Sequence, residues 1–341
     1  MKTGRLLKKI ASVFALLLLL AGAGLGEDED FIPPSPEPPA AGGRERPTPE
    51  PTAKPDIDVI NHIHFPREYA DFSFGKDSKL LEIWFPNIKD ADEAILIYDG
   101  EVCLIDCGDE HAGARGTLLL RQLGVTAIDT IYCSHLHHDH INGLAVTDQT
   151  AKVREVRICF DPDTTESGLL MEQTAKERGI TISRYRSGDR FTMGGDGAVT
   201  LWFIRNEDPE MDMNNQSAMT KVTYGERSIL FTADVEKDGQ AELAQNADPS
   251  FFSCDIVKYP HHAKNAMAEP FFALLGAKLT VITSVQGRAD YGQQYVVAKR
   301  LPAAYTLVKG KCIHLATDGE YWLCEYIPLN INENVDKAGK Q

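Results

Sequence analysis

No Cys-x-x-Cys pair occurs in the 341 residues, so the sequence offers no thiolate zinc site. Its seven cysteines, Cys103, Cys107, Cys133, Cys159, Cys254, Cys312 and Cys324, are scattered, mostly in apolar, strand-like stretches. An odd number leaves at least one unpaired in an exported chain. They read as free buried thiols that behave as small apolar side chains. Cys312 and Cys324 flank an Asp318-Gly319 turn. With a two-residue loop Cys324 faces Ile313, so no cross-strand disulfide is expected. Positive charge is also short: 35 Lys and Arg against 50 Asp and Glu give a net charge of −15. Such a chain is a poor non-specific binder of polyanions unless a local basic groove overrides the average. No internal repeat is visible.

Long apolar runs are missing except at the start. Residues 1–26 open with Lys2, Arg5, Lys8 and Lys9, continue with an apolar run from Ile10 to about Leu20, and end in small residues. That is the pattern of an export signal, with an uncleaved membrane anchor as the alternative. The chain is therefore expected to be secreted or extracytoplasmic, touching a membrane only through this segment. No cysteine follows the run, which argues against a lipid-modified N-terminus. Removing the signal would take the net charge to near −19. Residues 27–56 are rich in Pro and Glu and read as a semi-extended, disordered linker. Residues 57–330 remain as one domain with ample apolar residues for a single core, and 331–341 as a polar tail. A monomer is expected.

Within the domain, strand patterns at 80–85, 93–99 and 101–108 come first, the last two joined by a glycine turn. A helical pattern follows at 113–125, then a strand at 129–134. Further strands are expected at 153–160, 180–186, 198–205, 217–225, 228–234, 253–260 and 278–284. Helices are expected at 167–179, 235–246, 268–277 and 291–301, and a hairpin at 311–326. Strand clusters alternating with single helices, twice over, suit two face-to-face sheets with helices outside.

Four of the ten histidines and one aspartate fall between His135 and His140. Because this loop follows a strand, His135 and His137 can point the same way and grip one ion. Asp139 and His140 can reach a second; His138 falls outside the pattern. Imidazole and carboxylate donors suit zinc, with manganese or iron as alternatives. Two ions about 3.5–4 Å apart can share and activate one hydroxide at neutral pH. More ligands must come from elsewhere. Asp234 ends a strand and can bridge both ions, and His261 or His262 follows another strand and can complete the second. His62 and His64 form an isolated pair without a carboxylate and read as ordinary surface or packing residues.

SHLHHDHINGL resembles the metal-binding signature of the metallo-β-lactamase superfamily. The resemblance covers most of 80–326 and is greatest to the ComEC-type branch, the hydrolase domain attached to bacterial DNA-uptake channels. WFPNIKDADEAILIYDGEVCLIDCG resembles that branch's opening strands. MNNQSAMTKVTYGERSILFTADVE and DIVKYPHHAKNA are similar to its bridging-aspartate and double-histidine segments. The resemblance implies an αββα four-layer sandwich with the metals at one edge, between the sheets. It gives His135 and His137 to metal one, Asp139 and His140 to metal two, Asp234 to the bridge and one of His261 and His262 to metal two. It makes Asp106 the residue that orients the loop from behind.

Departures matter too. No histidine lies between 141 and 233, where many superfamily members have one. Asn214, Asn215 or Ser217 is the expected neighbour of metal one instead. Ala233 stands where a glycine is usual, a change expected to be small. Ala263-Lys264 replaces a glycine-serine and puts a phosphate-competent lysine at the mouth. Tyr291 opens the last helix near where the family places substrate groups.

The expected activity is hydrolysis of a phosphoester, as in a phosphodiesterase or nuclease, with two divalent ions as cofactors and Asp139, Asp234 and His262 at the reaction centre. The substrate is a nucleic acid or a cell-envelope component. Attack on a lactone, thioester or β-lactam carbonyl is one alternative; a binding module with an incomplete metal site is another.

Overall fold

Two mixed sheets face one another in a computed structural model of the chain. It describes residues 59–61, 72–285, 296, 299 and 301–329, all within one compact unit, Lys54–Gln341. The segments 1–26, 27–56 and 331–341, most of the helix expected at 291–301, and His62, His64 and Tyr291 lie outside the described residues. No described helix is long and apolar enough to cross a membrane.

In chain order the elements are β1 (Val59–Asn61), β2 (Leu81–Phe85), β3 (Glu93–Tyr98), β4 (Glu101–Cys107), α1 (Glu110–Gln122), β5 (Ala127–Tyr132), α2 (His138–Ile141), α3 (Leu144–Thr150), β6 (Lys152–Ile158), α4 (Glu166–Arg178), β7 (Thr181–Arg184), β8 (Arg190–Met193), β9 (Val199–Ile204), β10 (Met219–Tyr224), β11 (Arg227–Phe231), α5 (Lys237–Asn246), α6 (Pro249–Phe252), β12 (Ile256–Lys258), α7 (Glu269–Leu275), β13 (Leu279–Val285), β14 (Ala303–Leu307), β15 (Lys311–Thr317) and β16 (Trp322–Pro328). The first sheet runs β1-β16-β15-β2-β3-β4-β5-β6-β7 and the second β14-β13-β12-β11-β10-β9-β8.

Alternation along the strands builds the layers. Leu96, Cys103 and Ile105 meet Leu201, Phe203, Ile229, Ile256 and Val281 between the sheets. Ile95, Leu104 and Ile131 turn outward under Leu119 and Leu120 of α1 and Met171 of α4. Leu230, Val257 and Ile282 turn outward under Leu243 of α5, Phe252 of α6 and Phe271 of α7. Helix, sheet, sheet, helix is the four-layer αββα sandwich that the resemblance implied.

Most expected elements are present with ends shifted by a few residues, α1 starting three residues early because the Asp109 carboxylate caps it through Ala112 N–H. β1, β8, β14 and the short helices α2, α3 and α6 were not anticipated. The final hairpin also differs: Thr317 pairs with Trp322, and Asp318 accepts from the N–H groups of Glu320 and Tyr321 within a four-residue loop. The longer loop moves the register by two, so Cys324 faces Leu315 rather than Ile313. Cys324 packs between the sheets and Cys312 on the outer face. All seven cysteines are free.

On that hairpin His314 lies against Trp84, with ring centroids 3.8 Å apart, and bridges Glu82 (2.9 Å) and Glu325 (3.1 Å). Burial alone would lower its pKa, but the two carboxylates raise it, and His314 in turn lowers Glu82. A raised histidine stabilises fully below its unfolded value of about 6.5 and loses that contribution as pH climbs through the folded value. His314→Gln should therefore lower the thermal midpoint more at pH 6 than at pH 9. The carboxylates are about one-third exposed, so screening holds the difference to about 1 kcal/mol or less.

Candidate metal centre

A bulge in the first sheet prepares the site. Glu93 pairs with Cys107 but Ala94 pairs with Ile105, leaving Asp106 as the extra residue, with φ 57°. The bulge swaps the facing of the strand and aims Asp106 at the histidine loop. Its Oδ1 accepts from Ser134 N–H and its Oδ2 from Ser134 Oγ, both at 2.7 Å; Oδ2 also lies 2.8 Å from His140 Nδ1. Gly143 closes the loop against the end of β4, where an added Cβ would sit 1.9 Å from the Cys107 carbonyl oxygen. A side chain there would force the loop off the strand.

Four buried residues from three segments converge beside it. One ligand atom from each of Asp139, His140, Asp234 and His262 lies within 4.8 Å of all the others. His140 Nε2 is 3.3 Å from Asp234 Oδ2, and His262 Nε2 is 3.4 Å from Asp139 Oδ2 and 3.5 Å from Asp234 Oδ2. His140 Nε2, His262 Nε2 and Asp234 Oδ1 are buried without a hydrogen-bond partner. Buried polar atoms are rarely left so. Two imidazole nitrogens and two carboxylates so placed fit a divalent ion such as zinc or manganese.

His135 and His137 pair with each other, Nε2 to Nδ1 at 3.0 Å. Among the described residues neither joins a group of three or more such ligands. Asn214 lies beside them, donating its Nδ2 to Glu236 at 3.4 Å and leaving its Oδ1 buried without a hydrogen-bond partner. Ser217 Oγ supports the backbone, accepting from Asp234 N–H and donating to the Asn214 carbonyl. Asn215 is not brought to the site: its Oδ1 caps α5 through Gly239 N–H and its Nδ2 turns to Asp212.

The double histidine divides. His262 is fully buried in the quartet, whereas His261 sits at the mouth. His261 Nδ1 is 2.9 Å from Glu236 Oε1, and its Nε2 is 3.5 Å from Asp234 and 3.3 Å from Lys264 Nζ. His261, His262 and Ala263 all have positive φ, as does Ala233 before Asp234 at 47°. The alanine is thus a larger departure than expected, because its Cβ strains a left-handed backbone by about 1–2 kcal/mol. After the entropy lost by adding a glycine, Ala233→Gly is expected to stabilise by about 0.5–1 kcal/mol, read from the denaturant midpoint.

Electrostatics bind the cluster. Burial would lower His262, but Asp234 and Asp92 push it up to about 10. His140 is likewise raised, against burial, by Asp234 and Asp106. Burial would raise Asp234, yet His262 and His140 hold it well below the usual range. Burial drives His135 well below its ordinary value. Any bound cation must displace these protons, so its affinity falls with pH.

Sequence reasoning missed three residues behind the quartet: Asp92, Lys258 and Thr283. Thr283 Oγ donates to Asp92 Oδ1 at 2.7 Å and lies 2.8 Å from His262 Nδ1. Lys258, 2% exposed, donates to Asp92 and to the Ala233 carbonyl. The available signal was Lys258 itself, a lone ammonium in an otherwise apolar strand.

Residues 93–261 match the family model described as the metallo-beta-lactamase superfamily. ComE operon protein 3 of Bacillus subtilis is 26% identical over 165 residues, 47% of this chain, and ribonuclease Z of Methanococcus aeolicus is 46% identical over 48 residues, 14% of it. The matched stretches span only 20% and 14% of those relatives' own lengths. Among solved structures, a metallo-β-lactamase of Cronobacter sakazakii is similar at 17% identity, covering 51% of this chain and 72% of that one with a TM-score of 0.36. The strand order, the histidine loop after β5 and the family match agree: the folded domain of this chain belongs to the metallo-β-lactamase superfamily.

Proposed function

We propose that the chain is an exported metal-dependent hydrolase of phosphoesters. The observation that carries this reading is the convergence of Asp139, His140, Asp234 and His262, with buried donor atoms lacking other partners. His135 and His137 are the donors for a second ion, zinc being preferred at both positions. When bound, such ions supply Lewis acidity toward a phosphoryl oxygen and a nucleophile at neutral pH. The protein's part is placement. Asp106 fixes the ring of His140, and Thr283 with Asp92 fixes that of His262. Glu236 holds His261 beside Asp234, where its imidazole can pass a proton to a leaving oxygen.

Lys264 favours phosphorus over a carbonyl centre, since its ammonium stands at the mouth and a phosphoester carries the negative charge to meet it. That one of the relatives is named a ribonuclease agrees with this. The strong acidity of the chain favours a small phosphoester or envelope head group over long nucleic acid.

The test is a screen of protein truncated before residue 57 and loaded with zinc or manganese. Hydrolysis of a chromogenic phosphodiester is expected. Turnover of a lactone without the phosphodiester would overturn the substrate class. Failure to take up either metal would point to a binding module instead.

A further inference from the structure

We infer that Asp92 and Lys258 are positioning residues for the metal-ligating face of His262 and for Asp234. The inference rests on the reading of the quartet as a metal site. His140 and His262 each need one ring nitrogen tied down so that the other faces the ion. For His140 the tie is Asp106, at 2.8 Å. For His262 the matching tie comes from Thr283 of β13 in the second sheet and from Asp92, just ahead of β3 in the first. His262 Nδ1 lies 2.8 Å from Thr283 Oγ and 3.1 Å from Asp92 Oδ1, while Thr283 donates to the same carboxylate oxygen. With its proton on Nδ1, the ring presents the Nε2 lone pair to Asp139 and Asp234.

Asp92 adds a further buried carboxylate to a centre that already holds Asp106, Asp139 and Asp234. Lys258 compensates for it. Strand alternation sends Ile256 between the sheets and Val257 outward, so Lys258 points inward again, beneath the site. Its ammonium pairs with Asp92, holds the Ala233 carbonyl at 3.0 Å and lies 3.9 Å from Asp234 Oδ1. One cation thus braces both the carboxylate behind His262 and the backbone that carries Asp234. Thr283 is reached by the same alternation in β13, after Leu279 and Val281.

The experiment measures Co2+ and Zn2+ affinity of the full chain by competition with a chromophoric chelator, together with the visible spectrum of the Co2+ form. The variants are Asp92→Asn, Thr283→Val and the double variant Asp92→Asn/Lys258→Met. The double variant removes both charges, so no lone buried ion remains to unfold the protein. Each variant is expected to weaken binding about 10–100-fold and to alter the Co2+ bands. The double variant should keep a thermal midpoint near that of the parent without metal, which separates positioning from general destabilisation. Unchanged affinity and spectrum in the folded double variant and in Thr283→Val would overturn the role. If the parent chain binds neither metal, the reading of the quartet fails, and this role with it; loss confined to the variants would leave that reading standing.

Discussion

Asp234→Asn is expected to lower kcat/KM of the metal-loaded protein at least a hundredfold while leaving the fold intact. Asp234 is the hub of the site: His140, His261 and His262 each bring a ring nitrogen within 3.5 Å of its Oδ2. The amide is nearly the same size, so packing between the sheets survives. It removes one negative charge and puts N–H donors where lone pairs must face a cation. Loss of one such electrostatic element typically costs 10²–10³ in rate. His135→Ala, which halves the His135–His137 pair, is expected to lose a similar factor. Steady-state rates with metal analysis and circular dichroism on the same preparations check both. Near-parental rates in the two variants would reject the site.

Glu93→Gln is expected to stabilise the protein at pH 8, by roughly 1.4 kcal/mol for each pH unit separating the unfolded pKa from the raised folded one, and by almost nothing at pH 4. Glu93 opens β3 with 1% exposure, and neither carboxylate oxygen has a partner. It is wedged under α1, where a Cβ on Gly116 would lie 1.9 Å from its Oε1. Burial pushes its pKa well above the ordinary value. The sign follows from linkage. Above about pH 4.3 the unfolded chain releases the proton, while the folded chain keeps it. Stability therefore falls from that point until the raised folded pKa is passed. A glutamine keeps the shape and has no proton to lose. Denaturant midpoints of the two proteins at both pH values measure the effect; a gap as wide at pH 4 as at pH 8 would mean that ionisation is not its source.

The histidine loop was legible as a candidate site because its donor residues are adjacent in sequence and their spacing is set by the strand before them. Asp234 and the double histidine were legible more weakly, as strand-end residues in the right order. The choice between His261 and His262 was not, because it depends on three consecutive left-handed residues, 261 to 263, which local pattern does not reveal. Asp92 lies just ahead of a strand with no local pattern to mark it, and its partner Lys258 lies 166 residues away. Asn215 misled because its neighbour Asn214 does face His137 while Asn215 caps a helix. β8, at four residues, is too short for its alternation to stand out.

The parallel ladder between β1 and β16 has a mechanical meaning. Only three residue pairs, beginning with Val59 opposite Trp322, join the first described strand to the outer edge of its sheet. A pull transmitted from the chain before residue 59 would load this ladder ahead of any other. It would peel away like a fuse, at small force, and release a few residues of chain. The bulge at Asp106 lies five strands further in, so the reaction centre would ride out tension that had already detached the first strand.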